Sequence, residues 1–181
     1  VRQARSQTAN TRKPRKAARP FTPAESLAFA DSVLASPPKH DHIERRAGIG
    51  RCVARWVLPL HLCPGVNVLA EMPTWKRAKV KEAALGLMWM QSGGKRAAEP
   101  LPGRPMVRCV RFSSVEPDDN NSHSKVPVDR ITAKNGGLGY IVDDKPRNMR
   151  LATWWEPAPP GKGCVLVEVW TGEENEPKEA A

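Results

Sequence analysis

The sequence contains no C-x-x-C pair. Its four cysteines, Cys52, Cys63, Cys109 and Cys164, stand singly and mostly in apolar or alternating stretches. This spacing excludes the familiar structural zinc frameworks, so buried free thiols are expected; a zinc site from His40, His42 or His61 with a cysteine would need an unfamiliar arrangement. Long apolar runs are also lacking, and none approaches the length of a bilayer span. The basic N-terminus leads into prolines and polar residues instead of a signal-peptide core. A cytoplasmic protein without a membrane partner is therefore expected. Acidic residues are comparatively scarce, with 19 Asp and Glu against 29 Lys and Arg and a formal net charge of +10. Such a balance favours a polyanionic partner, nucleic acid before an anionic membrane.

What is present suggests one domain with long irregular segments, since the 181 residues include 18 prolines. Residues 1–47 read as a disordered basic arm with a short helix and a linker. Seven cations, from Arg2 to Arg19, precede any acid, and the helix is expected over Pro23 to Ala35, with Thr22 as its cap and Pro23 at its first position. Pro37-Pro38 and the charged run His40 to Arg46 make the linker. The folded domain is expected over 48–172, followed by an acidic disordered tail at 173–181.

Within the domain, the alternation from Arg51 to Leu62 predicts a strand, closed by a Cys63-Pro64-Gly65 turn that presents Asn67. A helix capped by Thr74 runs to about Gln91, with Lys76, Arg77, Lys79 and Lys81 crowding its first half, where the helix dipole disfavours cations. Phosphate contact would explain that cluster; a solvated face is the plainer alternative. Met106 to Val115 predicts a second strand, with Arg108 and Arg111 on opposite faces. Pro127 suits the first turn of a helix running to Lys134. Leu151 to Glu156 and Cys164 to Thr171 read as two strands of a hairpin with a long loop. The fold class expected is α/β (α+β): a small mixed sheet with two main helices. Trp154 and Trp155 are expected to pack on the sheet more than to stack on bases.

Two acidic doublets, Asp118-Asp119 and Asp143-Asp144, bracket Lys125 and Asp129. Carboxylates converging at one end of a sheet offer the hard oxygen ligands that magnesium prefers, which in a basic protein suggests phosphodiester chemistry. Taken singly, each doublet also suits an ordinary Asx turn. The order Asp118-Asp119-Asn120, Lys125-x-x-x-Asp129, Leu138-Gly139 and Asp143-Asp144, followed by two strands, resembles the RusA family of Holliday junction resolvases, which is common on phages and prophages. Leu58-Pro59-Leu60 and Pro64-x-x-Asn67 are similar to that family's opening segment, and the likeness runs from about Trp56 to Trp170.

The resemblance implies a Mg²⁺-dependent endonuclease, with Mn²⁺ as a substitute, that acts as a homodimer and makes paired cuts in four-way DNA junctions. Carried over, the metal ligands are Asp118, Asp119 and Asp144, with Asp143 beside them as a further catalytic acid and Lys125 as the cation supporting the transition state. Candidate DNA contacts are Asn67, Lys76, Arg77, Lys79, Arg130, Lys145 and Arg147. The family's usual Asp-x-Asp-Asn is rearranged here: alignment on Lys125 and Asp129 sets Asp119 at the first acid and Asn121 at the second, whereas alignment on Asp119-Asn120 leaves Pro117 at the first. A junction- or DNA-binding architectural protein that does not cut remains the alternative.

Overall fold

A computed structural model describes residues 20–36, 50–117, 125–134 and 136–171. Residues 1–19 of the arm, the linker at 37–49, the acidic loop with Asp118, Asp119 and Asn121, and the acidic tail lie outside the described residues. Four strands, β1 (Cys52–Pro59), β2 (Met106–Ser113), β3 (Arg150–Pro157) and β4 (Cys164–Trp170), form one sheet in the order β1-β4-β2-β3. Among the described residues four α-helices accompany them: α1 (Pro23–Ala35), α2 (Val66–Glu71), α3 (Thr74–Gln91) and α4 (Lys125–Ile131). The fold is thus mixed α+β, as the patterning implied. Among the described residues no helix is long and apolar enough to cross a membrane.

The expected hairpin does not form. β4 pairs antiparallel with both β1 and β2, and β3 lies parallel to β2 on the far edge. Burial explains the order. Cys164, Val165, Leu166, Val167 and Val169 are fully buried, so β4 needs cover on both faces and takes an interior place. β3 alternates between buried and more exposed positions, which suits an edge. Parallel pairing of β2 with β3 requires a crossover, and α4 lies in it. After β3, the chain passes the end of β2, where the Ala158 N–H donates to Ser113 O.

One face of the sheet carries Val57, Val110, Phe112 and Leu166 beneath α1, whose Ala30 is fully buried. Phe29 meets Phe112 edge to face with ring centroids 5.7 Å apart, and Arg55 bridges Asp31 of α1 and Glu168 of β4. Although the sequence places α1 in the arm before residue 48, it packs as a layer of the domain. Arg108 lies between the rings of Trp154 and Trp170, and the Trp155 Nε1–H donates to Ser113 O of β2 at 3.1 Å, so Trp154 and Trp155 both pack on the sheet. The opposite face packs Trp56, Leu58, Val107, Cys109, Val165 and Val167 against Met88 of α3 and Val128 and Ile131 of α4. All four cysteines are free. Burial pushes the Cys109 and Cys164 thiols up to about 12, with the charge of Glu168 adding to the effect at Cys109, so neither is reactive.

Three local expectations change. α3 starts at Thr74 itself, with Pro73 in the capping position and no side-chain cap. Asn67 lies on α2 instead of in a turn, because the chain turns back into helix directly after Gly65. β1 is shorter than its alternating sequence, since Leu60–Leu62 coil into a 3₁₀ turn after Pro59. Its outer edge is closed by Gln91, which accepts from the Val57 N–H at 2.9 Å and donates to Val57 O at 2.8 Å.

Candidate functional site

The site is built around the end of α4. Gly137 to Ile141 fold back along its last turn: Leu138 N–H donates to Arg130 O at 2.7 Å, Tyr140 N–H to Ile131 O at 2.9 Å, and Ala133 N–H to Ile141 O at 2.8 Å. Burial of Leu138 and Ile141 locks this link into the core and carries the chain to the second doublet. Asp144 there approaches Lys125, the first residue of α4, with Oδ2 and Nζ 3.1 Å apart. Pro127 lies in the first helical turn, as expected, with Lys125 at the helix start, and the helix ends at Ile131 instead of Lys134.

Lys125 is shared. Its ammonium also lies 3.2 Å from Asp129 Oδ1, one turn along α4, while Asp129 Oδ2 is held at 2.8 Å by Lys81 of α3. A chain of alternating charge therefore runs Lys81, Asp129, Lys125, Asp144. Asp129 is its buried member, with a side chain only 8% exposed. Partial burial would lower the pKa of Lys125, but its hydrogen bond to Asp144 and the charge of Asp129 outweigh this and hold it above the ordinary lysine value. It remains an ammonium at neutral pH, a donor and a charge instead of a base.

The two aspartates of the second doublet face different ways. Asp143 Oδ1 accepts from the Lys145 N–H at 3.0 Å and from Asn148 Nδ2, an Asx-type closure of the 145–148 turn. The Asn148 hydrogen bond is the main reason its carboxyl sits below the usual value; burial opposes this, and the Lys145 N–H supports it. Asp144, with a side chain 42% exposed, lines a cleft of about 530 Å³ together with Arg104, Lys125 and Arg150 and apolar walls that include Val66, Val128 and Met149. Arg104 fixes the rim by donating to Pro146 O at 2.7 Å.

Asn148→Ala is expected to destabilise the fold at pH 7, because the ionised Asp143 loses its main donor. A depressed carboxyl contributes stability above its unfolded value and loses it as pH falls through its folded value. The gap between wild type and variant should therefore close below the depressed value. Urea unfolding at pH 7 and in strong acid measures it.

Asp129→Asn should cost about 1–2 kcal/mol, less than a fully buried pair would, because both lysines can reach water. It leaves Lys81 and Lys125 facing each other without a shared counter-ion. Urea midpoints, with Lys81→Met and the double variant completing a cycle, give the coupling.

Of the expected DNA contacts, Lys76, Lys79, Lys145 and Arg147 are exposed, as is Asn67 beside the cleft residue Val66. Arg77 and Arg130 are half-buried, each with Nε buried and without a hydrogen-bond partner. None of these seven lines the cleft, whose cations are Lys125, Arg104 and Arg150. Sequence reading missed Arg104, which sits in a proline-rich loop with no motif around it, and the tie from Lys81 to Asp129, which is tertiary.

Among the described residues no group of three His, Cys, Asp or Glu side chains forms a metal site. Asp144 is the open carboxylate; Asp129 is taken by two lysines and Asp143 by its turn. A magnesium ion would thus fit only with ligands from Asp118 and Asp119 joining Asp144. Comparison with protein-family models, with curated proteins and with solved structures gave no match to this chain, so its fold and site stand on their own geometry.

Proposed function

We propose that the protein is a RusA-type endodeoxyribonuclease that resolves Holliday junctions or related branched DNA, working as a homodimer in the cytoplasm. The observation that carries this reading is the meeting of Lys125 and Asp144, 19 residues apart in sequence, at 3.1 Å. They meet in a cleft whose other charged lining groups are Arg104 and Arg150. A cleft with one open carboxylate and three cations suits a phosphodiester held beside a metal ligand.

Asp118, Asp119 and Asp144 would hold Mg²⁺ or Mn²⁺, which when bound supplies an activated water and neutralises phosphate charge. Lys125 would donate to a phosphate oxygen while Asp129 keeps its ammonium in place. Arg104 and Arg150 would take flanking phosphates, giving position without base readout. Two-fold symmetry in a homodimer would match that of the junction.

Incubation of the full chain with an end-labelled four-way junction, with and without Mg²⁺, tests the proposal. Paired metal-dependent cuts are expected, with gel filtration reporting a dimer. Tight junction binding with no cutting in either metal would replace this reading with an architectural one.

A further inference from the structure

The outer side of α3 carries two tryptophans that the core does not use. Trp75 is 64% exposed and Trp89 37%, with Met90 at 68% beside them. They are 14 residues apart, close to four helical turns, and so lie on one side of α3 about 21 Å from each other. Each has a cation over its ring: Lys79 Nζ is 5.3 Å from the Trp75 centroid, and the Arg96 guanidinium 5.5 Å from that of Trp89. Between them, Gly86 has nothing within 4 Å of where a side chain would begin, and a shallow hollow of about 270 Å³ opens against Trp89 and Arg96.

We infer that this stripe is a second nucleic-acid surface, one that binds an unpaired strand by stacking bases on Trp75 and Trp89 while Lys79 and Arg96 meet its phosphates. An exposed indole with a cation held over its ring brings together both contacts that a nucleotide needs, a π-surface and a positive charge. Charge selects this occupant over a second copy of the chain. Lys76, Lys79, Lys95 and Arg96 lie along or just beyond α3, whose own one carboxylate is Glu82, so two such faces brought together would repel. Away from the stripe, Lys81 of the same helix pairs with Asp129 of α4 at 2.8 Å, and this ion pair ties α3 to the helix that carries Lys125. The proposal rests on the nuclease reading only for the source of the strand, an unpaired arm next to the branch.

Titration with an unpaired oligothymidylate of about 15 nucleotides, in EDTA and without cleavage, tests it through tryptophan fluorescence and anisotropy. Wild type should bind with quenching. Trp75→Ala and Trp89→Ala should each weaken binding about tenfold, the size of one base stack, and the double variant should lose most of the quench. Trp75→Tyr, which keeps a stacking face, should retain most of the affinity, and Lys79→Met should lower the salt slope by about one ion. Circular dichroism should be unchanged, because both indoles are exposed. No binding by wild type, or a double variant that binds and quenches like wild type, overturns the proposal. So does a dimer that the tryptophan substitutions dissociate, which would give the stripe to a second copy. Quenching by a wild type that never cuts junctions would remove the nuclease reading and leave the stripe standing.

Discussion

An Asp144→Asn protein is expected to cut a four-way junction at least about a hundredfold more slowly than wild type while binding it as tightly or more so. The substitution keeps the shape of the side chain and an oxygen that can still accept from Lys125, but it removes the charge that a metal ion would need. Stability should hardly move. The Asp144 side chain is 42% exposed and that of Lys125 52%, and an ion pair so open to water contributes within about 1 kcal/mol. Single-turnover cleavage at saturating protein separates the chemical step from binding. Undiminished cutting by this variant would remove Asp144 from the site. Asp143→Asn makes the contrast: its carboxylate closes the turn through Lys145 and Asn148, so its loss should appear first as a lower unfolding midpoint. Equal and purely catalytic losses in the two variants would contradict the different roles their surroundings assign them.

How much of this was legible in the sequence depends on the range of the interaction concerned. The strand at β1, the helix at α3 and its end near Gln91 follow from local period and composition, and all three stand within a few residues of expectation. Strand order does not follow from them. Leu151 to Glu156 and Cys164 to Thr171 are neighbours in sequence with turn-forming residues between, yet β2 pairs with both β3 and β4 and sits between them. Choosing that order requires knowing that both faces of the sheet are covered. One of the covering layers is α1, whose own amphipathic signal is faint; its place is set by tertiary contacts such as Phe29 on Phe112 and Asp31 on Arg55. The site divides in the same way. Lys125 with Asp129 is an i, i+4 pair that any helix would bring together, and Asp144 was marked by its doublet. Arg104 reaches the cleft through a hydrogen bond to Pro146, 42 residues along the chain, and nothing near it in sequence records that. Lys81 belonged to a basic cluster that suggested phosphate contact for all its members; burial of Asp129 beneath α3 gives this one lysine a structural partner instead.

Gly137→Ala should be among the most damaging single substitutions in the domain, costing about 3 kcal/mol and lowering the unfolding temperature by roughly 10 °C. A Cβ at this position would fall 2.2 Å from Arg130 O and 2.6 Å from Thr132 O. Both are main-chain oxygens at the end of α4, and neither can swing away as a flexible side chain would. The strand-like link would have to lift off the helix, stretching the Leu138-to-Arg130 hydrogen bond and exposing Leu138 and Ile141, both fully buried. The adjacent glycine is the control. Gly136 has φ +66, in the left-handed region, but nothing lies within 4 Å of its would-be Cβ. Gly136→Ala should therefore cost only the conformational penalty of about 1–2 kcal/mol. A conformation-only account would make Gly136 the sensitive position, whereas close approach makes it Gly137. Thermal unfolding of the two variants distinguishes these accounts, and equal midpoints would refute the close-approach argument. Because the same link delivers Asp144 to Lys125, a Gly137→Ala protein that remains folded at low temperature should also lose cutting activity there, while Gly136→Ala, which leaves the link seated on α4, should keep it.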